Sequence, residues 1–306
     1  MTRVAVLGAT GPTGIHLTRE LLRRGRAVRV VSRRRERMEE LFPEDAVEIV
    51  AADALSAEET RRAVDGCDLV VDCIGLPPER MADHPATART IADAARAAGA
   101  RCLQVSSYWA FLPHRGEVVS ESHPRTGGHE WFRMRREAED VMLGTGAAVL
   151  HLPDFFGPEV HTSSVQTALE QAAAGGPVQV LGSADTPREA AFVPDAMRIV
   201  ADLAERDEAY GTDWGIPGSG PLTPRRLAEL AGAHLGREVK IQALPGWVAS
   251  LLALLHPDLR RIRPLIPHYT RPVHYDTSKL RGLLGEIRTT PFEEAIPATL
   301  DWIRER

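Results

Sequence analysis

The stretch "RVAVLGATGPTGIHLTRELLRRG", residues 3–25, decides the fold. A short apolar run (3–8) meets a turn carrying Gly8, Gly11 and Gly14, and an amphipathic stretch follows that stops at Gly25. Strand, glycine turn and helix in this order make an anion site. Glycines let the backbone turn tightly and approach a ligand closely, while the helix N-terminus offers free N–H groups and its positive dipole end. Three glycines alone would be a weak signal; the strand–turn–helix context makes it a strong one. Gly8, Thr10, Gly11, Pro12, Thr13 and Gly14 are therefore expected to hold the pyrophosphate of a dinucleotide.

Outward from this turn the pattern repeats. Apolar strands are expected at 27–32, 47–53, 67–75, 101–107 and 147–152, separated by helical stretches at 56–66, 86–100 and 128–146. Ser56 reads as a helix N-cap, with Glu59 completing a capping box. Six short strands alternating with helices predict an α/β fold, a Rossmann-type doubly wound parallel sheet covered on both faces. The second half differs, holding 15 of the 22 prolines from residue 153 onward and sparser strands. This places a dinucleotide-binding domain over 1–157, with 190–217 returning to it. A smaller mixed α/β lobe, made of 158–189 and 218–306, would cover the substrate.

Composition narrows the partners. The 306 residues carry a net charge of −5 and are 43% hydrophobic, which gives no electrostatic reason to expect nucleic acid. The most apolar piece, "WVASLLALL" (247–255), is far short of the roughly 18 residues that span a bilayer. The start "MTRVAVLG" goes straight into a strand, with no signal-peptide layout. Cys67, Cys73 and Cys102 lack metal or redox spacing, so neither zinc nor a disulfide is expected. A cytoplasmic protein with a small-molecule substrate and no metal or membrane partner is the expectation.

The spacing "GATGPTG" (8–14) resembles that of the extended and atypical short-chain dehydrogenase/reductase superfamily, its epimerase/dehydratase branch. The resemblance runs along most of the chain. Asp53 and Ala54 in "AADAL" match the acidic segment beside the adenine, and Cys73, Ile74 and Gly75 match the segment after strand four that lines the cofactor. "LPDFFGPEV" (152–160) matches a later signature in which Leu152 and Phe156 replace an arginine and a tyrosine. Pro153 and Phe155 of that stretch, with Ser106, are implied to border the nucleotide. "REAAFVPDAM" (188–197) and "YDTSKLRGLLG" (275–285) match further family segments in the right order. A homodimer is implied by analogy with such folds.

Strand two ends "VVSRRRE", with Ser32, Arg33 and Arg34 where an NAD-selecting acid would stand. A guanidinium grips a 2′-phosphate with paired charge-assisted hydrogen bonds. NADP(H) is therefore favoured over NAD(H), with Arg33 first and Arg34 second.

The catalytic positions depart from the family. The resemblance implies a Ser, then a Tyr and Lys in YxxxK spacing; counting back from Ala138–Glu139 puts Trp131 at the Tyr position and Arg135 at the Lys position. Indole N–H is a donor only, and guanidinium stays protonated, so neither shuttles a proton. Tyr108, in "VSSYWAF" (105–111), is the candidate proton donor, helped by Ser107, with Arg135 holding the ribose and lowering the phenol's pKa. The alternative is that Tyr108 only packs, lining a pocket with Trp109 and Trp131. His129 and Asp154 stand as reserve proton carriers, and Trp109, His129, Trp131, Asp154 and Phe156 as substrate-pocket residues. The Arg-rich run at 256–272 beside Trp247 and its leucines suggests a largely apolar pocket, with the arginines facing solvent or another subunit.

Three functions stay open. One is an oxidoreductase moving hydride between nicotinamide and a carbonyl, alcohol or enone. Another is a non-redox isomerase, epimerase, dehydratase or cyclase that keeps its nucleotide. The third is an NADP-sensing binding protein resembling the NmrA-type regulators.

Overall fold

The computed structural model describes residues 2–42, 46–255, 260 and 262–306. Its centre is a parallel sheet of seven strands. They are β1 (Arg3–Leu7), β2 (Ala27–Ser32), β3 (Val47–Ala51), β4 (Leu69–Asp72), β5 (Arg101–Ser107), then, past a two-residue β6 (Val118–Val119), β7 (Ala148–Leu152) and a later edge strand. That edge strand is Asp213–Gly215, and the order from it is edge–β7–β5–β4–β1–β2–β3. Three residues are too few to show a period, which is why the sequence pattern yields six strands and not seven.

Side-chain alternation fills both faces. Val4 and Val6 of β1 pack with Ile15 and Leu17 of α1 (Pro12–Arg23) and with Val200 of the helix Val193–Ala204. Ala5 and Leu7 point the other way, toward Ile91 of α4 (His84–Ala97) and Met142 of α5 (Glu130–Gly144). The segment around 193–215 thus closes the sheet. Between α1 and α4 lie α2 (Arg35–Leu41) and α3 (Ala57–Val64). Ser56 caps α3 by accepting from Glu59 N at 3.4 Å, but the Glu59 carboxylate accepts from Asp53 N at 2.8 Å instead of closing the reciprocal box.

Strand order reverses between β1 and β4, which leaves a crevice at their carboxyl ends. Above it sits the second layer. β8 (Asp154–Phe156) runs parallel to the strand Arg188–Phe192, and Phe156, Leu169, Leu227, Phe292 and Leu300 form a separate core. Phe156 is wholly buried there, 5.7 Å from Phe192 and 6.0 Å from Phe292. Its expected place on the substrate pocket is therefore corrected: at the β8 position facing the lobe, an apolar ring completes a core. Leu280, from the helix Ser278–Leu284, packs into the main core. Residues 256–259 and 261 of the Arg-rich run lie outside the described residues, as do Glu44 and Asp45.

The three cysteines are buried and free. Burial raises the Cys102 thiol to about 12 and pushes that of Cys73 up as well. Among the described residues, no cluster of three or more His, Cys, Asp or Glu side chains is placed to hold a metal, and no helix is long and apolar enough to cross a membrane.

Candidate active site

The glycine turn is built for close approach. Gly8 sits at φ +76°, and a Cβ there would lie 2.8 Å from the Cys73 carbonyl oxygen, against the end of β4. A Cβ on Gly14 would lie 2.4 Å from Gly8 O and 2.7 Å from Ala9 Cα, so this glycine lets α1 start directly under the turn. Gly11 caps α1 with Pro12 at its first position, where a missing N–H costs nothing. Thr13 and Gly14 follow in the first turn, where N–H groups have no intrahelical acceptor. A dinucleotide pyrophosphate fits this cradle.

Around it, Thr10 Oγ1 and Ser32 Oγ are 3.0 Å apart, which ties the turn to the end of β2. Arg33 and Arg34 are exposed, and neither forms an ion pair among the described residues, whereas Arg35 pairs with Glu39 at 2.7 Å and Arg37 with Glu40 at 2.9 Å. Asp53 is half-buried beyond β3, its Oδ1 accepting from Leu55 N at 3.0 Å. After β4, Ile74 N donates to Asp72 at 2.9 Å, and burial raises the pKa of that carboxyl group. Ser106 does not present its hydroxyl to this crevice. It donates to Glu139 on α5, a fully buried carboxylate that also takes a bond from Arg125 at 2.8 Å. Strand alternation is the reason: Ser106 and Ser107 point to opposite faces.

Next to the crevice lies a cavity of about 220 Å³. Ser107, Tyr108, Trp109, Arg135, Pro153, Asp154 and Phe155 line it, which brings together residues the sequence scattered over three segments. His129 and Trp131 stand elsewhere. His129 is the N-cap of α5, accepting from Trp131 N at 3.3 Å, and Trp131 packs on a cluster of Leu112, Phe132 and Leu265. A helix start needs an acceptor, and that need explains the histidine without chemistry.

Tyr108 is 2% exposed and stacks on Tyr275, with ring centroids 3.6 Å apart and planes at 14°. Its hydroxyl has no hydrogen-bond partner among the described residues and lies where a Cβ on Gly215 would come within 2.3 Å. Burial, then Tyr275 and Glu121, hold its pKa well above the ordinary phenol value. This reverses the expectation that Arg135 lowers it. Arg135 is itself buried, with desolvation pulling its pKa down against Glu139 and Asp72, and its Nε is unpartnered. Asp154 accepts from Ser164, and burial raises its pKa.

The pattern missed the opposite wall. Arg188, His268, Tyr269 and Tyr275 come from the covering lobe, and His114 from the loop after β5. The Arg188 guanidinium sits 4.9 Å over the Tyr269 ring and donates to the carbonyls of His268 and Arg271. His114 bonds the Tyr108 carbonyl; burial, then His268 and His123, push its pKa down to about 3. It is thus a neutral imidazole with an unpartnered Nε2 at the cavity wall. One signal was available: the chain has only four tyrosines, and three of them, Tyr108, Tyr269 and Tyr275, line this one cavity.

Comparison with known proteins agrees with this layout. An NAD(P)H-binding family profile matches residues 8–146. A ceramide reductase of Caulobacter vibrioides is 30% identical over 162 residues, which cover 51% of this chain and 47% of that protein; the chain thus spans about half the relative's length. Among solved structures, UDP-glucuronic acid 4-epimerase from Bacillus cereus in complex with NAD superposes with a TM-score of 0.82, at 14% identity and 99% coverage of both chains. A dTDP-glucose 4,6-dehydratase from Bacillus anthracis in complex with NAD gives 0.82 at 13% identity, covering 100% of this chain and 97% of that one. The NAD(P)H-binding profile thus falls on the half that holds the glycine turn, and the whole chain has the fold of these epimerase and dehydratase structures.

Proposed function

We propose that this chain is an NADP(H)-dependent oxidoreductase of the extended or atypical short-chain type, acting on a carbonyl, alcohol or enone of a small, largely apolar substrate. The observation that carries the reading is the cavity beside the glycine turn. Four residues lining it, Ser107, Tyr108, His114 and Arg135, each have a buried polar atom with no hydrogen-bond partner among the described residues. Leaving such groups unmade is costly, and in native proteins they mark places where a ligand or water completes the bonding. The name of the ceramide reductase relative supports a reductive role. Arg33 and Arg34, exposed at the end of β2 and without an ion pair among the described residues, support a 2′-phosphate and hence NADP(H).

When bound, the nicotinamide supplies or accepts hydride. The protein would do the rest. Ser107 polarises the substrate oxygen, and Tyr108, held protonated by burial, donates the proton that oxygen needs. Arg135 holds the ribose side, while Trp109, Leu265 and Tyr269 keep water from the reacting carbon. The test is NADPH oxidation against a panel of ketones and enones, with Tyr108→Phe beside the wild type. Absence of turnover on every substrate, despite nucleotide binding, would refute the reading.

A second reading, a non-redox epimerase or dehydratase that recycles its nucleotide, draws support from the placement of the Tyr108 hydroxyl against Gly215 instead of on a Tyr–Lys pair. It predicts product without net change in reduced-nicotinamide absorbance.

A further inference from the structure

Four of the six large hydrophobic side chains that are exposed among the described residues fall within nine positions: Trp247 (73%), Leu251 (57%), Leu254 (50%) and Leu255 (77%). They share one face. The helix Gly246–Leu252 continues through bonds from Ala253 N to Ala249 O at 2.9 Å and from Leu254 N to Leu251 O at 3.1 Å, so positions 247, 251, 254 and 255 recur at helical spacing. Ala249 and Ala253, on the opposite side, are buried against Ile266. The inner side of this layer is therefore satisfied, and the outer side is a ridge of a tryptophan and three leucines that no described residue covers. Scattered apolar residues need no explanation, but a contiguous exposed ridge does.

The surrounding charge is one-sided. Between positions 241 and 275 the sequence has four arginines and a single acid, Asp258, in a chain whose net charge is −5. Arg260, Arg263 and Arg271 are exposed, and none of them forms an ion pair among the described residues, whereas Arg225, Arg226, Arg288 and Arg306 of the same half are matched to carboxylates. An apolar ridge with tryptophan and leucine, flanked by arginines that have no ion pair among the described residues, is the composition that seats a helix in the headgroup region of an anionic bilayer.

We propose that the face formed by Trp247, Leu251, Leu254 and Leu255, with Arg260, Arg263 and Arg271 at its rim, docks the protein peripherally on an anionic lipid surface. The contact lies on the surface and does not span it. It also has a consequence for the cavity, because Leu265, His268 and Tyr269 line that cavity from the segment next to Ile266. The ridge helix packs through Ala249 and Ala253 on Ile266, whose own helix lines the cavity, so a bilayer seated there lies two helices away from the site. The proposal does not depend on the redox reading, since its test needs neither nucleotide nor substrate.

The test is flotation of the full chain with vesicles of phosphatidylcholine alone, or phosphatidylcholine with phosphatidylglycerol. Binding to the anionic vesicles is expected to exceed binding to the neutral ones about tenfold and to fall as salt is raised. Trp247→Ala with Leu255→Ser, and separately Arg260→Gln with Arg263→Gln, are each expected to lower binding about tenfold. All four side chains are exposed, so circular dichroism and thermal melting should match the wild type. Failure of the wild type to float, or equal flotation of the variants, overturns the proposal. So does a dimer, seen by light scattering, that dissociates in the Trp247/Leu255 variant, because the face would then belong to a second copy.

Discussion

Replacing Tyr108 with phenylalanine separates packing from chemistry, because the two roles predict opposite signs. The stack on Tyr275, at 3.6 Å between centroids, involves rings alone and survives the change. Only the hydroxyl is lost, and that hydroxyl is buried without a hydrogen-bond partner among the described residues. An unsatisfied buried polar group costs about 1–3 kcal/mol, so its removal should leave the ligand-free protein as stable or more stable by up to roughly that amount. Each kcal/mol corresponds to about 2–4 °C in Tm or less for a chain of this size. Turnover should move the other way. Losing a positioned proton donor lowers the rate about 10²–10⁴-fold, or roughly 3–5 kcal/mol of barrier at 1.36 kcal/mol per decade. The assays are thermal unfolding of the ligand-free chain and NADPH oxidation with the substrate that responds best. Burial raises the phenol's pKa well above 10, so it stays protonated throughout the neutral range, and reduction should show no tyrosine ionisation between pH 6 and 9. A more stable variant with unchanged turnover would leave Tyr108 as packing. A clear loss of stability would refute the claim that its hydroxyl lacks a partner.

Three further outcomes follow from the geometry. Arg33→Ala with Arg34→Ala should weaken NADPH about 10–100-fold, the worth of one charge-assisted contact, while NADH changes little; nucleotide titration by fluorescence decides it, and equal losses for both would remove the 2′-phosphate argument. Gly14→Ala places a Cβ 2.4 Å from Gly8 O, a backbone atom, so the turn must shift. A stability loss of about 1–3 kcal/mol, with nucleotide affinity down at least about tenfold, is expected by chemical denaturation and titration. His151 is buried; burial alone would lower its pKa, but Glu139 and Asp213 outweigh that and raise it to about 9. Because the folded value lies above the unfolded one, the stabilisation is complete below about pH 6.5 and is lost as pH rises through about 9, amounting to ~3 kcal/mol at most. Urea midpoints at the two ends of that window should differ in the wild type and converge in His151→Gln.

What was legible in the sequence follows from the range over which each signal acts. The glycine turn and the sheet strands are local patterns: a period of two or 3.6, or three glycines between a strand and a helix, records its own structure. Ser107, Tyr108 and Asp154 were legible because they sit at the carboxyl ends of β5 and β7, where such a sheet keeps its ligands. His129 and Phe156 misled for the complementary reason. A histidine at a helix start and a phenylalanine after a strand look the same whether they serve a cap, a core or a pocket, and only the third dimension assigns them.

The covering lobe was the least legible part, and physics gives the cause. Tyr275 reaches the cavity from a two-residue pairing, His268 and Tyr269 from a four-residue helix, both too short to carry a period, and Arg188 from the first position of the strand Arg188–Phe192, where no pattern says which way it faces. Val118 pairs with His274, and Val119 with Tyr275, and this two-residue bridge brings the Tyr275 ring onto Tyr108. This wall of the cavity is thus specified by long-range contacts across a pattern-poor stretch. Changes confined to 265–275 can therefore alter which substrate is held while leaving the glycine turn and the sheet intact. Tyr269→Phe, which keeps the ring under Arg188, should change the response across the ketone and enone panel by several-fold without altering nucleotide affinity. A parallel loss of nucleotide binding in that variant would mean that the two layers are not separable in this way.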